Sequence, residues 1–212
     1  RKLGFLGGQA VPAVMRYGFG YVQGINDAAK ELGITDQIEV EYAYGGQFYG
    51  STEITAAMDT WYSQGTEIVF ACGGGIFTSA AEAAAKVDGK MIGVDSDQSP
   101  IIDAYGEGMT VTSAMKGLGA TVKAMLNSII VDNTWEEHVG KIENLGLISG
   151  TDMTVNYVGL PEDTTQWNDD FTVEDYHELV EKIYDGQIKI DNSIDKMPEV
   201  DVKVDERQGS IM

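Results

Sequence analysis

Through the first half of the chain, short apolar runs alternate with stretches of helical periodicity, and that order leaves few folds open. The runs fall at Leu3–Leu6, Ile38–Tyr44, Ile68–Ala71, Met91–Val94 and Met109–Val111, each short enough for a buried strand. Between the first two, Val14, Tyr17, Tyr21, Ile25, Ala28 and Leu32 recur at helical spacing, and Gly33 closes the helix. Ile54, Ala57, Met58 and Trp61 repeat the pattern before Gly65, as do Phe77, Ala80, Ala81 and Ala84 further on. Strand–helix–strand order of this kind predicts an α/β fold, a doubly wound and mostly parallel sheet with helices on both faces.

The second half reads differently. One helix is expected from about Ala114 to Val131, with Met115, Leu118, Val122, Leu126 and Ile129 on one stripe. Another starts at Thr172 as N-cap, buries Tyr176, Leu179, Val180 and Ile183, and stops at Gly186. Only two short strand candidates, Leu145–Ile148 and Thr154–Val158, lie between them. Two helices with apolar faces and few strands to cover imply a second, incomplete lobe. The expected division is therefore residues 1–113 as a nearly complete ligand-binding lobe and residues 114–212 as a return segment. That segment would supply helices and strands to the partial second lobe and its hinge. The tail after Met197 is polar and charged, as suits an edge segment.

Composition narrows the partners. Of 212 residues, 34 are acidic and 14 basic, a formal charge of −20. Nucleic-acid affinity comes mainly from neutralising phosphates with Lys and Arg, so DNA and RNA are excluded as partners. The same balance excludes docking on an anionic membrane through basic patches. Cys72 is the sole cysteine and no intrachain disulfide can form. No apolar run approaches bilayer-spanning length. A chain that enters a core strand within two residues of its start is expected to be a processed or partial one.

In an open parallel sheet, ligands bind outside the carboxyl ends of the strands. Those positions carry Gly7-Gly8-Gln9, Gly45-Gly46-Gln47, Gly73-Gly74-Gly75, Asp95-Ser96-Asp97-Gln98, and Ser113 with Lys116. Glycines let backbone approach a ligand, carboxylates accept hydrogen bonds and the lysine donates them, which together describe a polar small-molecule site. Blander readings stand beside these. Gly73–Gly75 also suits a tight strand-to-helix turn, Asp95 and Asp97 loop capping, Lys116 a solvated charge and Tyr17 core packing. Neither GxGxxG nor GxxxxGK[ST] is present, and a lone DxD is a weak metal signal, so no cofactor or metal is implied. His138 and His177 are isolated, and no nucleophile–base assembly supports catalysis.

Gly4-Phe5-Leu6-Gly7-Gly8, Pro12-Ala13-Val14 and Arg16-Tyr17-Gly18-Phe19-Gly20-Tyr21 resemble the basic membrane protein family, which includes PnrA-like purine nucleoside-binding lipoproteins of ABC transporters. The likeness continues through Val69–Gly75, Ile92-Gly93-Val94-Asp95-Ser96-Asp97-Gln98 and Thr112-Ser113-Ala114-Met115-Lys116, and thins after Val131. The resemblance implies a type I periplasmic-binding fold of two lobes that close on ligand. It implies a non-enzymatic solute-binding component that works outside the cytoplasm with an ABC permease, membrane-associated only through a lipid anchor in a preceding segment. By the same resemblance Asp95 holds the ribose hydroxyls with Lys116 nearby, and Tyr17 stands where the family commonly has a phenylalanine facing the base. Gly74 and Gly75 lie against sugar or base. Other classes remain open to the residues alone. One is a ligand-sensing effector domain of a regulator or receptor, and another a metal-dependent transferase working at the acidic strand ends.

Overall fold

The computed structural model describes residues 1–212. Its strands are β1 (Lys2–Gly7), β2 (Glu39–Tyr44), β3 (Thr66–Cys72), β4 (Lys90–Asp95), β5 (Thr110–Lys116), β6 (Val158–Gly159) and β7 (Lys203–Ser210). They form one sheet in the order β6-β5-β4-β3-β1-β2-β7, parallel throughout except for β6. The expected α/β, doubly wound architecture is the observed one.

Alternation along the strands builds two cores. Successive side chains on a strand point to opposite faces, so neighbouring Phe5 and Leu6 on β1 are both fully buried, but in different clusters. On one face Leu6, Val69, Ala71 and Met91 pack with α2 (Thr52–Ser63) and α3 (Phe77–Ala84) through Ile54, Met58, Ala80 and Ala81. On the other, Phe5, Val40, Tyr42, Phe70 and Val94 meet α1 (Pro12–Leu32) through Val14, Phe19, Val22 and Ala29. A fully buried aliphatic or aromatic side chain contributes roughly 1.5–3 kcal/mol, which makes these two layers the main source of stability.

Helix ends follow local chemistry. Pro12 occupies the first turn of α1, where its missing N–H is no loss, and Gly33 ends the helix in the left-handed region at φ 68°. Ser51 caps α2 by accepting from the Ile54 amide at 3.2 Å. Thr172 and Asp175 form a reciprocal capping box at the start of α6 (Val173–Tyr184). Tyr176 and Val180 are the buried residues of that helix, with Leu179 and Ile183 half-buried.

Four expectations need correction. The buried face of α1 runs through Val14, Gly18, Val22 and Ala29, while Ala28 and Leu32 are exposed. Ala114–Lys116 do not begin a helix. They finish β5, pairing with β4 as far as Asp95↔Met115. Helix α5 covers only Leu118–Leu126 and widens into a looser turn over Asn127–Val131. Leu145–Ile148 is not a strand, and Thr154–Val158 contributes only the first residue of β6. Finally, the polar tail is an edge segment as expected, but residues 203–210, assigned to the second lobe, join this sheet as edge strand β7, paired in parallel with β2 from Glu39↔Lys203. The stripe Leu118, Val122, Leu126 and Ile129 is exposed along its length.

Candidate functional site

The strand order reverses between β1 and β3. The chain runs from β1 outward to β2 on one side, then returns to lay β3 on the other flank of β1. At such a switch point the loops leaving adjacent strands diverge to opposite faces and open a crevice. A cavity of about 200 Å³ lies there, lined by the start of α1, the loops after β2 and β3, and the ends of β4 and β5. Its walls include Val14, Tyr17, Phe48, Gly74, Asp95 and Lys116.

Asp95 is the last residue of β4 and adopts φ 70°, unusual for a residue with a side chain. That turn aims its carboxylate toward the neighbouring strand, where Lys116 Nζ donates to Oδ1 at 2.7 Å. The Lys116 ammonium also sits 5.8 Å from the centroid of the Tyr17 ring. Tyr17 projects from the second turn of α1, packs edge-on against Phe70 at 6.2 Å, and donates its hydroxyl to the Met115 carbonyl at 3.4 Å. Burial raises the Tyr17 phenol well above its ordinary range, and the neighbouring Cys72 and Asp95 push the same way. One ring thus joins the α1 and β5 walls of the cavity and stays neutral.

Cys72 ends β3 at the cavity floor, buried and unpaired. Burial first, and the Asp95 charge second, push its thiol up to about 12, with Lys116 pulling in the opposite direction. The thiolate, the reactive form, is therefore absent at neutral pH.

Gly74, at φ 54°, is exposed on the cavity wall. Gly75 is not among the lining residues, and its amide donates to the Phe48 carbonyl at 2.8 Å. Four of the five residues singled out in the sequence thus line one cavity, and the fifth holds the loop behind it. Phe48 was not singled out. Its ring covers Gly8 so closely that a Cβ there would lie 2.4 Å from Cδ1. The only sequence signal for it was an aromatic residue directly after the Gly45-Gly46-Gln47 turn.

The remaining candidates have local roles. Asp97 accepts from the Ser99 amide at 3.0 Å and from the Thr164 hydroxyl at 2.9 Å, fixing two loops rather than facing the cavity. Gln98 and Ser113 brace the β4 end from beneath. The Val94 amide donates to Gln98 Oε1, and the Gln98 amide to Ser113 Oγ. His138 pairs with Glu143 and His177 with Glu162, both outside the cavity.

A second space of about 540 Å³ adjoins the first. The two share Ala13, Tyr17 and Lys116, and the larger one is bounded by Arg16, Leu118, Ile142, Leu145 and Tyr157.

Sheet, switch point and crevice are those of a periplasmic-binding-protein fold. Solved structures support that class. A solute-binding protein of an ABC transporter system from Conexibacter woesei superposes with a TM-score of 0.61 at 19% identity, over 90% of this chain and 57% of that one. A second, from Aeropyrum pernix, gives 0.56 at 22% identity, over 89% and 51%. The sequence is more particular. The family model described as ABC transporter substrate-binding protein PnrA-like matches residues 1–193, and the chain belongs to that family. Among curated relatives, the ABC transporter nucleoside-binding protein BmpA of Lactococcus lactis is 28% identical over 58% of this chain and 37% of its own length. Basic membrane protein A of Borreliella afzelii is 30% identical over 70% of this chain and 43% of its own. The chain thus spans about two-fifths of the length of these relatives.

Proposed function

We propose that this chain forms one wall of the ligand cleft of an extracytoplasmic solute-binding protein serving an ABC importer, and that the ligand is a nucleoside. The observation that carries the reading is the Asp95–Lys116 pair beside the Tyr17 ring at the switch point. A nucleoside has a vicinal diol and a flat ring system. Asp95 has Oδ1 occupied by Lys116, which leaves Oδ2 to accept from a ribose hydroxyl, while the ammonium donates to a second. The exposed Gly74 backbone lets the sugar approach without a side chain in the way. A space of about 200 Å³ suits the sugar, and the adjoining space of about 540 Å³ suits the base, with Tyr17 between them.

The printed name of the Lactococcus relative, a nucleoside-binding protein, supports the same ligand class. The role is capture, not turnover. The solute-binding family supports that reading. The exposed apolar stripe on α5 supports a second lobe built with further residues of a longer polypeptide, closing over the ligand. The family supports a partner permease and a lipid anchor as parts of the same proposal. No helix is long and apolar enough to cross a membrane.

A thermal-shift and calorimetry screen tests this reading with nucleosides, free bases, ribose and other sugars. It is run on this chain and on a polypeptide extended to the length of the relatives. Binding to the native state raises the melting temperature by mass action. Stabilisation by nucleosides supports the proposal. Stabilisation by sugars alone, with none by nucleosides, contradicts it.

A further inference from the structure

Arg16 is the anomaly of the cleft. Its Nε is buried and has no hydrogen-bond partner. The guanidinium takes part in none of the ten ion pairs of a chain that carries 34 acidic residues. An unpaired buried donor is unfavourable. Nε itself is closed to any ligand, so a group entering the space that Arg16 lines meets the terminal nitrogens of the guanidinium.

Its position says what arrives. Arg16 precedes Tyr17 on α1 and lines the larger of the two spaces but not the smaller. Much of the lining there is apolar, from Pro12, Leu118, Leu145, Tyr157 and the Tyr17 ring, with Thr121 and Asn144 as neutral polar neighbours. The carboxylate among the lining residues, Glu143, is already held by His138 at 2.9 Å. With the sugar placed at Asp95 and Lys116, this larger space receives the base.

We infer that Arg16 is a specificity-determining residue of this site and that it selects 6-oxopurine nucleosides, such as inosine and guanosine, over 6-aminopurines. The inference rests on the nucleoside reading above. Guanidinium carries donors only, in a planar fork. A 6-oxopurine presents two adjacent acceptors, O6 and N7, which accept that fork together. This is the pairing by which arginine reads guanine in nucleic acids. A 6-aminopurine offers N7 beside an amino donor, so one arm of the fork faces another donor. The pairing discriminates by roughly 1–3 kcal/mol between right and wrong bases, or about tenfold in affinity near the middle of that range.

The experiment is calorimetric titration of the extended polypeptide with inosine, adenosine and purine riboside, which lacks the 6-substituent. It is repeated on Arg16→Met. The expected result is inosine binding about tenfold or more tightly than the other two, with that margin collapsing in Arg16→Met. The ligand series on the unsubstituted protein needs no variant, so a folding defect in Arg16→Met cannot mask the answer. Equal affinity for inosine and purine riboside overturns the role of Arg16 and leaves the nucleoside reading intact. Absence of binding by all three overturns the nucleoside reading, and this inference with it.

Discussion

Lys116 Nζ lies 2.7 Å from Asp95 Oδ1, the two side chains reaching toward each other from the carboxyl ends of adjacent parallel strands. Each is about two-fifths exposed, at 40% and 43%. An ion pair that open to solvent contributes little to folding, below about 1 kcal/mol. Stability therefore gives little reason for its position at the cleft, whereas the proposed ligand contact gives one. Lys116→Met should leave the free energy of urea unfolding within that margin while weakening nucleoside binding at least tenfold. A large fall in stability would make the pair structural.

Asn26 ties the return strand to the first helix. It is buried on α1, and its Oδ1 accepts from the Asp201 amide at 2.8 Å, just before β7 begins. Removing that acceptor leaves a backbone donor unsatisfied, at a cost of roughly 1–3 kcal/mol. Asn26→Ala should lower stability by about that amount. Hydrogen exchange of the β7 amides, Lys203–Ser210, should quicken ahead of those in β1 and β3. Uniform quickening across the sheet would count against a local tether.

Gly18 sets the distance between α1 and the sheet. A Cβ at this position would lie 2.2 Å from the Tyr42 hydroxyl and 2.7 Å from the Phe5 ring, both in a stacked aromatic layer. Overpacking of this kind typically costs about 1–3 kcal/mol. Gly18→Ala should destabilise by at least that much despite the higher helix propensity of alanine, as read by chemical denaturation. A stabilised variant would show that the helix shifts outward freely.

Cys72 gives stability an alkaline limit. Its thiol is raised from 9.0 to about 12 in the folded protein, so between those values the unfolded chain has lost a proton that the native state keeps. The native state binds more protons there, and stability falls as pH rises through that window. Below pH 9 this contribution is fully present. Urea unfolding at pH 8 and pH 10.5 should show a decline that is shallower in Cys72→Ala. Identical slopes in both proteins would remove Cys72 as a source.

The sheet was readable in the sequence because β1 to β4 are largely buried and so appear as apolar runs. Where burial is one-sided or lacking, the reading failed. β7 is Lys-Val-Asp-Glu-Arg-Gln-Gly-Ser, a fully polar edge apart from Val204, so its polarity suggested an edge but not which sheet it joins. Met115 and Leu118 kept helical spacing across a junction that pairing with β4 holds extended as far as Met115 and pairing with β6 as far as Lys116. On α1 the counted stripe was displaced because the close-packed face uses Gly18 and buried Asn26, neither of which scores as apolar. At the site, Tyr17, Gly74, Asp95 and Lys116 were legible as strand-end or helix-start residues of suitable chemistry. Gly75 differs because its amide is taken by Phe48, a loop contact that no periodicity encodes. Arg16 escaped notice because an unmet hydrogen bond is visible only in three dimensions.

The central claim is that the cavity at Asp95 binds a nucleoside, and titration calorimetry of Asp95→Asn in the extended polypeptide tests it most directly. Asparagine tolerates the positive φ of 70° and matches the shape of aspartate, so the fold should be kept and only the charge removed. We predict an unchanged melting temperature without ligand and nucleoside affinity at least a hundredfold weaker than in the unsubstituted protein. Equal affinities in the two proteins would contradict the account.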